Sequence, residues 1–181
     1  MKVNATQEQR DFCKDFLRQG SIAQRGKFDG DEYQQLFGLM GQVIVMDFLK
    51  LPRPRNEGFD GGIDLTIGEK TFDVKCVSRT VEPLRHFVNN LTAFQINYKV
   101  DGYIFLSYNK TTGLYTICGW ASKKDFLEKS ILYKKGESRI RDNGTEMINQ
   151  TDNYEIRNDE LRKFGNYNRM LENFKKKGVF I

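Results

Sequence analysis

Two short segments, Ile63-Asp-Leu-Thr-Ile67 and Thr71-Phe-Asp-Val-Lys-Cys-Val77, flank Gly68 and Glu69. Each alternates apolar and polar residues, the pattern of a half-buried strand. Two such runs around a short turn containing glycine predict a β-hairpin. With 68 and 69 as the turn, Leu65 faces Phe72 and Ile63 faces Val74. A slip of one residue would set Leu65 against Asp73, so apolar matching selects this register. The same register puts Asp64 opposite Asp73, with Lys75 further along that face. Facing carboxylates would stand about 4.5–5.5 Å apart at Cβ and repel. A shared proton, Lys75 as counter-ion, or a divalent cation held between the acids would offset that repulsion.

The chain around the hairpin reads as one unit of 181 residues, with no internal repeat and no clear linker. Residues 5–19 predict a short amphipathic helix with Phe12, Phe16 and Leu17 on one side. Residues 20–30 read as a connection. Asp31 to Lys50 predicts a long helix, with Asp29 or Asp31 as its cap and Leu36, Leu39, Met40, Val43, Ile44 and Phe48 buried. Residues 51–62 read as a loop or irregular edge strand. After the hairpin, Pro83 is expected in the first turn of a helix running to about Lys99. Strands follow at 103–108, which is central, and at 113–118. Ser122-x-x-Asp125 opens a short helix. Asn143-Gly144 turns an exposed hairpin, and Tyr154 to Ile156 forms a last strand before short helices. The expected class is α/β, with a mixed sheet flanked by helices and an α+β C-terminal extension over 109–181.

Several chemistries are excluded. One histidine, His86, rules out two-histidine zinc fingers and H-E-x-x-H hydrolases. Three distant cysteines without a CxxC argue against a disulfide framework or a four-thiolate zinc site. No glycine-rich phosphate loop of either common kind occurs. No apolar run exceeds the four residues of Val43–Met46, too short to span a bilayer. The polar start, Met1 to Arg10, carries no signal-peptide core. A soluble, cytoplasmic protein with no membrane partner is expected.

Gly62-Ile-Asp64, followed after eight residues by Asp73-Val-Lys75, resembles the catalytic signature of the PD-(D/E)xK nuclease superfamily. That family has a restriction-endonuclease-like αβββαβ core, also found in Holliday-junction resolvases. The resemblance covers about residues 31–108, and Ile63 stands where proline is usual. It implies a Mg²⁺- or Mn²⁺-dependent deoxyribonuclease in which Asp64 and Asp73 bind metal. A bound Mg²⁺ would polarise the scissile phosphate and lower the pKa of its water. Lys75 would orient that water or hold developing charge. It further implies that Gln42, in Gly38-Leu-Met-Gly-Gln42-Val, lines the site where a glutamate is common. Gln42 sits in an apolar stretch, where a bare amide costs about 1–3 kcal/mol, so a backbone hydrogen bond is its other reading. Glu32 is the alternative helix donor. Gln95 and Tyr98 weakly echo an exonuclease pattern with a different spacing, and a polar helix face explains them as well.

Charge is uneven. The first 90 residues carry 13 basic and 13 acidic side chains; the rest carry 16 and 11, giving the whole net charge of +5. A basic second half suits a polyanion such as DNA, and equally a solvated surface. Lys129, Lys134, Lys135, Arg139 and Arg141, with Tyr133 among them, could track a nucleic-acid backbone. Arg53, Arg55 and Arg79 flank the hairpin and read as phosphate contacts or plain surface charges. Cys76 reads as a buried thiol, His86 as a surface or capping residue, and Trp120 as a packing residue. The alternative to an enzyme is a nuclease-fold module that is catalytically weak or inactive and binds nucleic acid or a protein partner. A homodimer would suit a two-strand cut.

Overall fold

A computed structural model describes residues 1–20, 31–55, 61–140, 144–176 and 179–180. The chain starts with a short strand, β1 (Lys2–Asn4), and helix α1 (Gln7–Arg18). Thr6 and Gln9 close a capping box at its start. Helix α2 (Glu32–Leu49) is capped by Asp31, whose side chain accepts the Gln34 N–H while Gln34 returns a bond to the Asp31 N–H. Asp29, the other expected cap, and most of the 20–30 connection lie outside the described residues. From Leu39 to Met46 every residue of α2 is buried. A helix buried on all sides belongs to a core. Gly41 permits this, because a Cβ there would lie 3.2 Å from Cys76 Cβ.

The hairpin forms in the expected register. β2 (Leu65–Ile67) and β3 (Lys70–Arg79) are antiparallel, with Leu65 opposite Phe72 and Ile67 opposite Lys70. Gly68, at φ +63°, occupies the first turn position, as a type II′ hairpin prefers. The ladder stops at Leu65, however. Asp64 does not pair directly across from Asp73, which corrects the expected facing of the two acids.

The predicted helix from Pro83 to about Lys99 is absent. Strand β4 (Val88–Thr92) and a 3₁₀ turn over Ala93–Asn97 take its place. Asn89 and Leu91 are buried while Asn90 is exposed, a period of two. Two adjacent asparagines favour helix weakly. The buried Asn89 amide instead donates to Asn158 Oδ1 at 2.8 Å. A remote strand, β10 (Asn153–Arg157), pairs antiparallel with all of β4.

Next come β5 (Gly102–Asn109), central as expected, and β6 (Leu114–Ser122). Ser122 caps helix α3 (Lys123–Lys129) by accepting the Asp125 N–H. β7 (Ile131–Tyr133) was not foreseen. β8 (Ser138–Ile140) and β9 (Glu146–Ile148) form the exposed second hairpin, whose Asn143 and Arg141 lie outside the described residues. Helix α4 (Tyr167–Phe174) follows a 3₁₀ turn at Asn158–Glu160.

The result is a mixed α/β architecture. A five-stranded sheet runs β1-β6-β5-β3-β2. Only β3 and β5 are parallel in it. A three-stranded sheet, β4-β10-β7, lies beside it. Alternation splits β3 and β5 between two cores. Phe72, Val74, Cys76, Ile104 and Leu106 pack with α1, α2 and α4. Tyr103 and Phe105 pack with Leu91, Phe126 and Ile156 on the other side. Among the described residues, no helix is long and apolar enough to cross a membrane.

Candidate active site

At Asp64 the chain leaves the β2–β3 ladder but remains attached to β3. Its N–H donates to the Phe72 carbonyl at 2.9 Å, and its Oδ2 accepts the Val74 N–H at 2.6 Å. A continued ladder would send the Val74 N–H to the Ile63 carbonyl. The Asp64 carboxylate takes that place, so it lies at the sheet edge in line with the strand's own hydrogen bonds. Just before it, Gly62 has φ +85°, and a Cβ there would collide with the Tyr98 ring at 2.3 Å. Only glycine lets the segment turn into the edge beneath that ring.

Asp73 follows a different direction. Its side chain stands on the Tyr103 face of β3 and is 3% exposed. Lys75 Nζ lies 2.8 Å from Asp73 Oδ2. The approach is off the hydrogen-bonding direction, so that oxygen has charge compensation without a directed bond. Lys75 itself remains half-buried. Lys75 thus acts as a counter-ion to Asp73.

Gln42 reaches the same edge from α2. Its amide nitrogen donates to the main-chain carbonyl of Asp64 at 3.0 Å. This fulfils the backbone-bonded reading and still puts Gln42 beside Asp64. Its carbonyl oxygen is left for a cation or a water. Glu32, at the exposed first turn of α2, is not brought to this bond.

The neighbouring strand adds residues that sequence reasoning missed. Tyr103 sits at Asp73's register position on β5, and Ser107 at that of Val77. Both hydroxyls are buried and lack a hydrogen-bond partner among the described residues. Burial, and then the charge of Asp73, push the Tyr103 hydroxyl up, so it stays protonated. Phe126 packs on the Tyr103 ring at 4.9 Å. The polar entries at 103 and 107 in an otherwise apolar run were the available signal.

Comparison with family models, curated proteins and solved structures finds no match to this chain. The reading of the site therefore rests on its chemistry. Two carboxylates and an amide carbonyl are hard oxygen donors, which suit Mg²⁺ or Mn²⁺ with several waters retained. Asp73 Oδ2, buried without a directed bond, is the atom a cation would complete. Among the described residues, no group of three or more His, Cys, Asp or Glu side chains is arranged to hold a metal. Two clefts, one beside Phe48, Lys50 and Tyr167 and one beside Tyr33 and Tyr108, are lined by residues other than these acids.

Other singled-out residues have local structural roles. Arg53 donates to both Asp47 oxygens, at 2.9 and 2.8 Å, and also pairs with Glu8. Arg79 donates to the Val88 carbonyl and lies over Phe87. His86 packs edge-on against Phe87, and Cys76 lies under Gly41. Trp120 is a fully buried core residue between Phe72, Phe174 and Phe180. Gln95 and Tyr98 lie in and just after the 3₁₀ turn rather than on a helix. In the basic stretch, Lys129 reaches Glu160, Lys134 pairs with Asp152 and Arg139 with Glu155. Those pairings reduce the charge it offers a polyanion.

Proposed function

We propose that the chain is a Mg²⁺- or Mn²⁺-dependent nuclease that hydrolyses phosphodiester bonds in DNA. The observation that carries this reading is that β3 carries two acid pairs in close succession, Asp64 with Gln42 at the Val74 edge and Asp73 with Lys75. Asp64 is fixed by the Val74 N–H, and Gln42 is fixed on Asp64. Asp73 and Lys75 form a close ion pair. Support for a restriction-endonuclease-like core comes from α2, the β2–β3 hairpin and the parallel β3–β5 pair. The crossover by strand and 3₁₀ turn departs from that plan.

When bound, the metal supplies Lewis acidity toward phosphate and water. Asp64 and Asp73 would hold it, with the Gln42 carbonyl as a neutral supporting donor. Lys75 is a compact cation on a flexible stem. It neutralises Asp73, and with a metal held by the acids it would be free to face a phosphate or steady the attacking water. Gln42 in place of an acid limits the negative charge available for a second metal.

The test is cleavage of plasmid, linear and branched DNA with Mg²⁺ or Mn²⁺, beside Asp73→Asn. Wild type is expected to cut only with metal, and the variant to lose at least about a hundredfold, since even outer-shell partners of a metal cost 10–100-fold. Equal cutting by both proteins, or none by wild type, overturns the proposal.

The burial of Asp73 under Lys75 favours one second reading, a nuclease-fold module that binds nucleic acid without cutting it. Calorimetry with Mn²⁺ separates the two. No heat, together with DNA retention in EDTA, selects the binding module.

A further inference from the structure

A cleft of about 140 Å³ opens on the face of the five-stranded sheet opposite Asp73 and Lys75. Tyr108, in its wall, sits at the register position of Ser78, on the side that carries Phe72, Val74 and Cys76. The walls are apolar and mostly aromatic, from Tyr33, Phe37, Tyr108 and Tyr115 with Leu36 and Met40, and Arg10 and Lys14 add two cations. Among the described residues, no acidic side chain lines it. The volume is well below the roughly 300–1,000 Å³ of a drug-sized pocket, so it fits one ring system.

The rings are ordered by one another. Phe37 and Tyr108 stack at 5.7 Å, Tyr108 and Tyr115 approach to 4.7 Å, and Tyr33 meets Phe37 edge-on at 5.6 Å. Tyr33 is 47% exposed, so part of its ring remains open to a ligand. Its ring lies 6.3 Å from that of Tyr108, and the neighbouring Tyr108 hydroxyl pushes its pKa up to about 12. The rim therefore gains no negative charge from Tyr33 at neutral pH. Arg10 and Lys14 are four residues apart on α1 and share a helix face. Arg10 is held by the Ala5 carbonyl at 3.1 Å and the Asn4 side chain at 3.4 Å. The three acids of that helix are turned to other partners: Glu8 to Arg53, Asp11 to Gln7 and Asp15 to Arg18.

A small cleft with aromatic walls, phenolic hydroxyls and two cations suits a planar ring that bears an anion. Stacking supplies affinity that tolerates any base, and the cations supply a phosphate contact. We propose that this cleft binds a nucleotide, with the base against Tyr33 and the phosphate at Arg10 and Lys14. The source is a free mononucleotide or the phosphorylated end of a strand. The proposal does not depend on the nuclease reading, because the cleft lies on the other face of the sheet.

The experiment is calorimetry in EDTA on the full chain with thymidine 5′-monophosphate, adenosine 5′-monophosphate, thymidine, and a short oligothymidylate with and without 5′-phosphate. A monophosphate is expected to bind more tightly than about 1 mM, and thymidine about tenfold more weakly. Tyr33→Ala is expected to weaken binding about tenfold or more, the scale for loss of one stacked base, while Tyr33→Phe stays within about threefold. Lys14→Glu is expected to weaken phosphate-bearing probes about tenfold and leave thymidine unchanged. Both positions are exposed, so melting temperatures report that the variants fold. Asp73→Asn is expected to bind as wild type does, which separates this site from the proposed nuclease centre. Equal affinity for the monophosphates and the phosphorylated oligomer identifies a mononucleotide ligand; tenfold tighter binding of the oligomer identifies a strand end. Binding of no probe more tightly than about 1 mM, or unchanged affinity in both Tyr33→Ala and Lys14→Glu, overturns the proposal.

Discussion

Asp73 and Tyr103 stand side by side on paired strands, and both carry a buried oxygen without a directed hydrogen bond. The two call for different substitutions. Asp73→Ala would strand the Lys75 cation in a half-buried site, and breaking such pairs by removing one partner costs about 3–5 kcal/mol. Asp73→Asn keeps the shape and is the cleaner probe of chemistry. Tyr103→Phe deletes a hydroxyl that forms no bond among the described residues, so it removes a desolvation cost. We expect a gain of about 1 kcal/mol, seen as a melting temperature roughly 2–4 °C higher for a chain of this size. A lower melting temperature would mean that the hydroxyl is satisfied in solution.

The hairpin and its approach show how much of the site could be read in advance. Apolar matching of Leu65 with Phe72 specified the register, because a one-residue slip exchanges the two faces of the sheet. It could not specify the pairing one residue further on. There, an Asp64 side chain outcompetes the Ile63 carbonyl for the Val74 N–H, and side-chain competition of that kind leaves no periodic trace. The helix expected after Pro83 failed for a related reason. Asn89 and Asn90 are weak in either local state, and β10, more than sixty residues away, decides between them. Tyr103 escaped notice because its role comes from a parallel pairing that local pattern does not reveal. At this scale Gly62 gives the sharpest forecast. Gly62→Ala forces a Cβ into the Tyr98 ring at a positive φ and should cost about 1–3 kcal/mol. Chemical denaturation would measure that loss. Cleavage should fall too if the turn positions Asp64, whereas unchanged stability would refute the steric argument.

Across the whole molecule, three carboxylates tie separate elements together. Arg53 holds Asp47 below the usual carboxylate range, against the opposing effect of burial and with help from Gln9. Burial pushes Asp101 up, but the Thr71 N–H and the Lys70 ammonium outweigh it, and its pKa is also lowered. Asp125 follows the same pattern, with Arg162 as the outweighing partner. A carboxyl group whose folded pKa lies below its unfolded value of about 3.9 contributes its full stability above that value. The contribution fades as pH falls through the folded pKa. Melting temperature should therefore change little in this respect from pH 7 to about 5 and fall steeply below about 4. Arg162→Met should flatten that acid limb, and a limb of unchanged slope would remove Asp125 from the account.

The crossover between the two parallel strands is itself a strand, and its partner β10 is made late. β1 likewise waits for β6, to which Lys2 pairs at Thr116. A nascent chain that has not yet emerged as far as Arg157 must hold β4 without its ladder partner. Closure of such distant pairings sets a slow folding step. The incomplete chain would thus need protection from self-association at β4 until β10 is released.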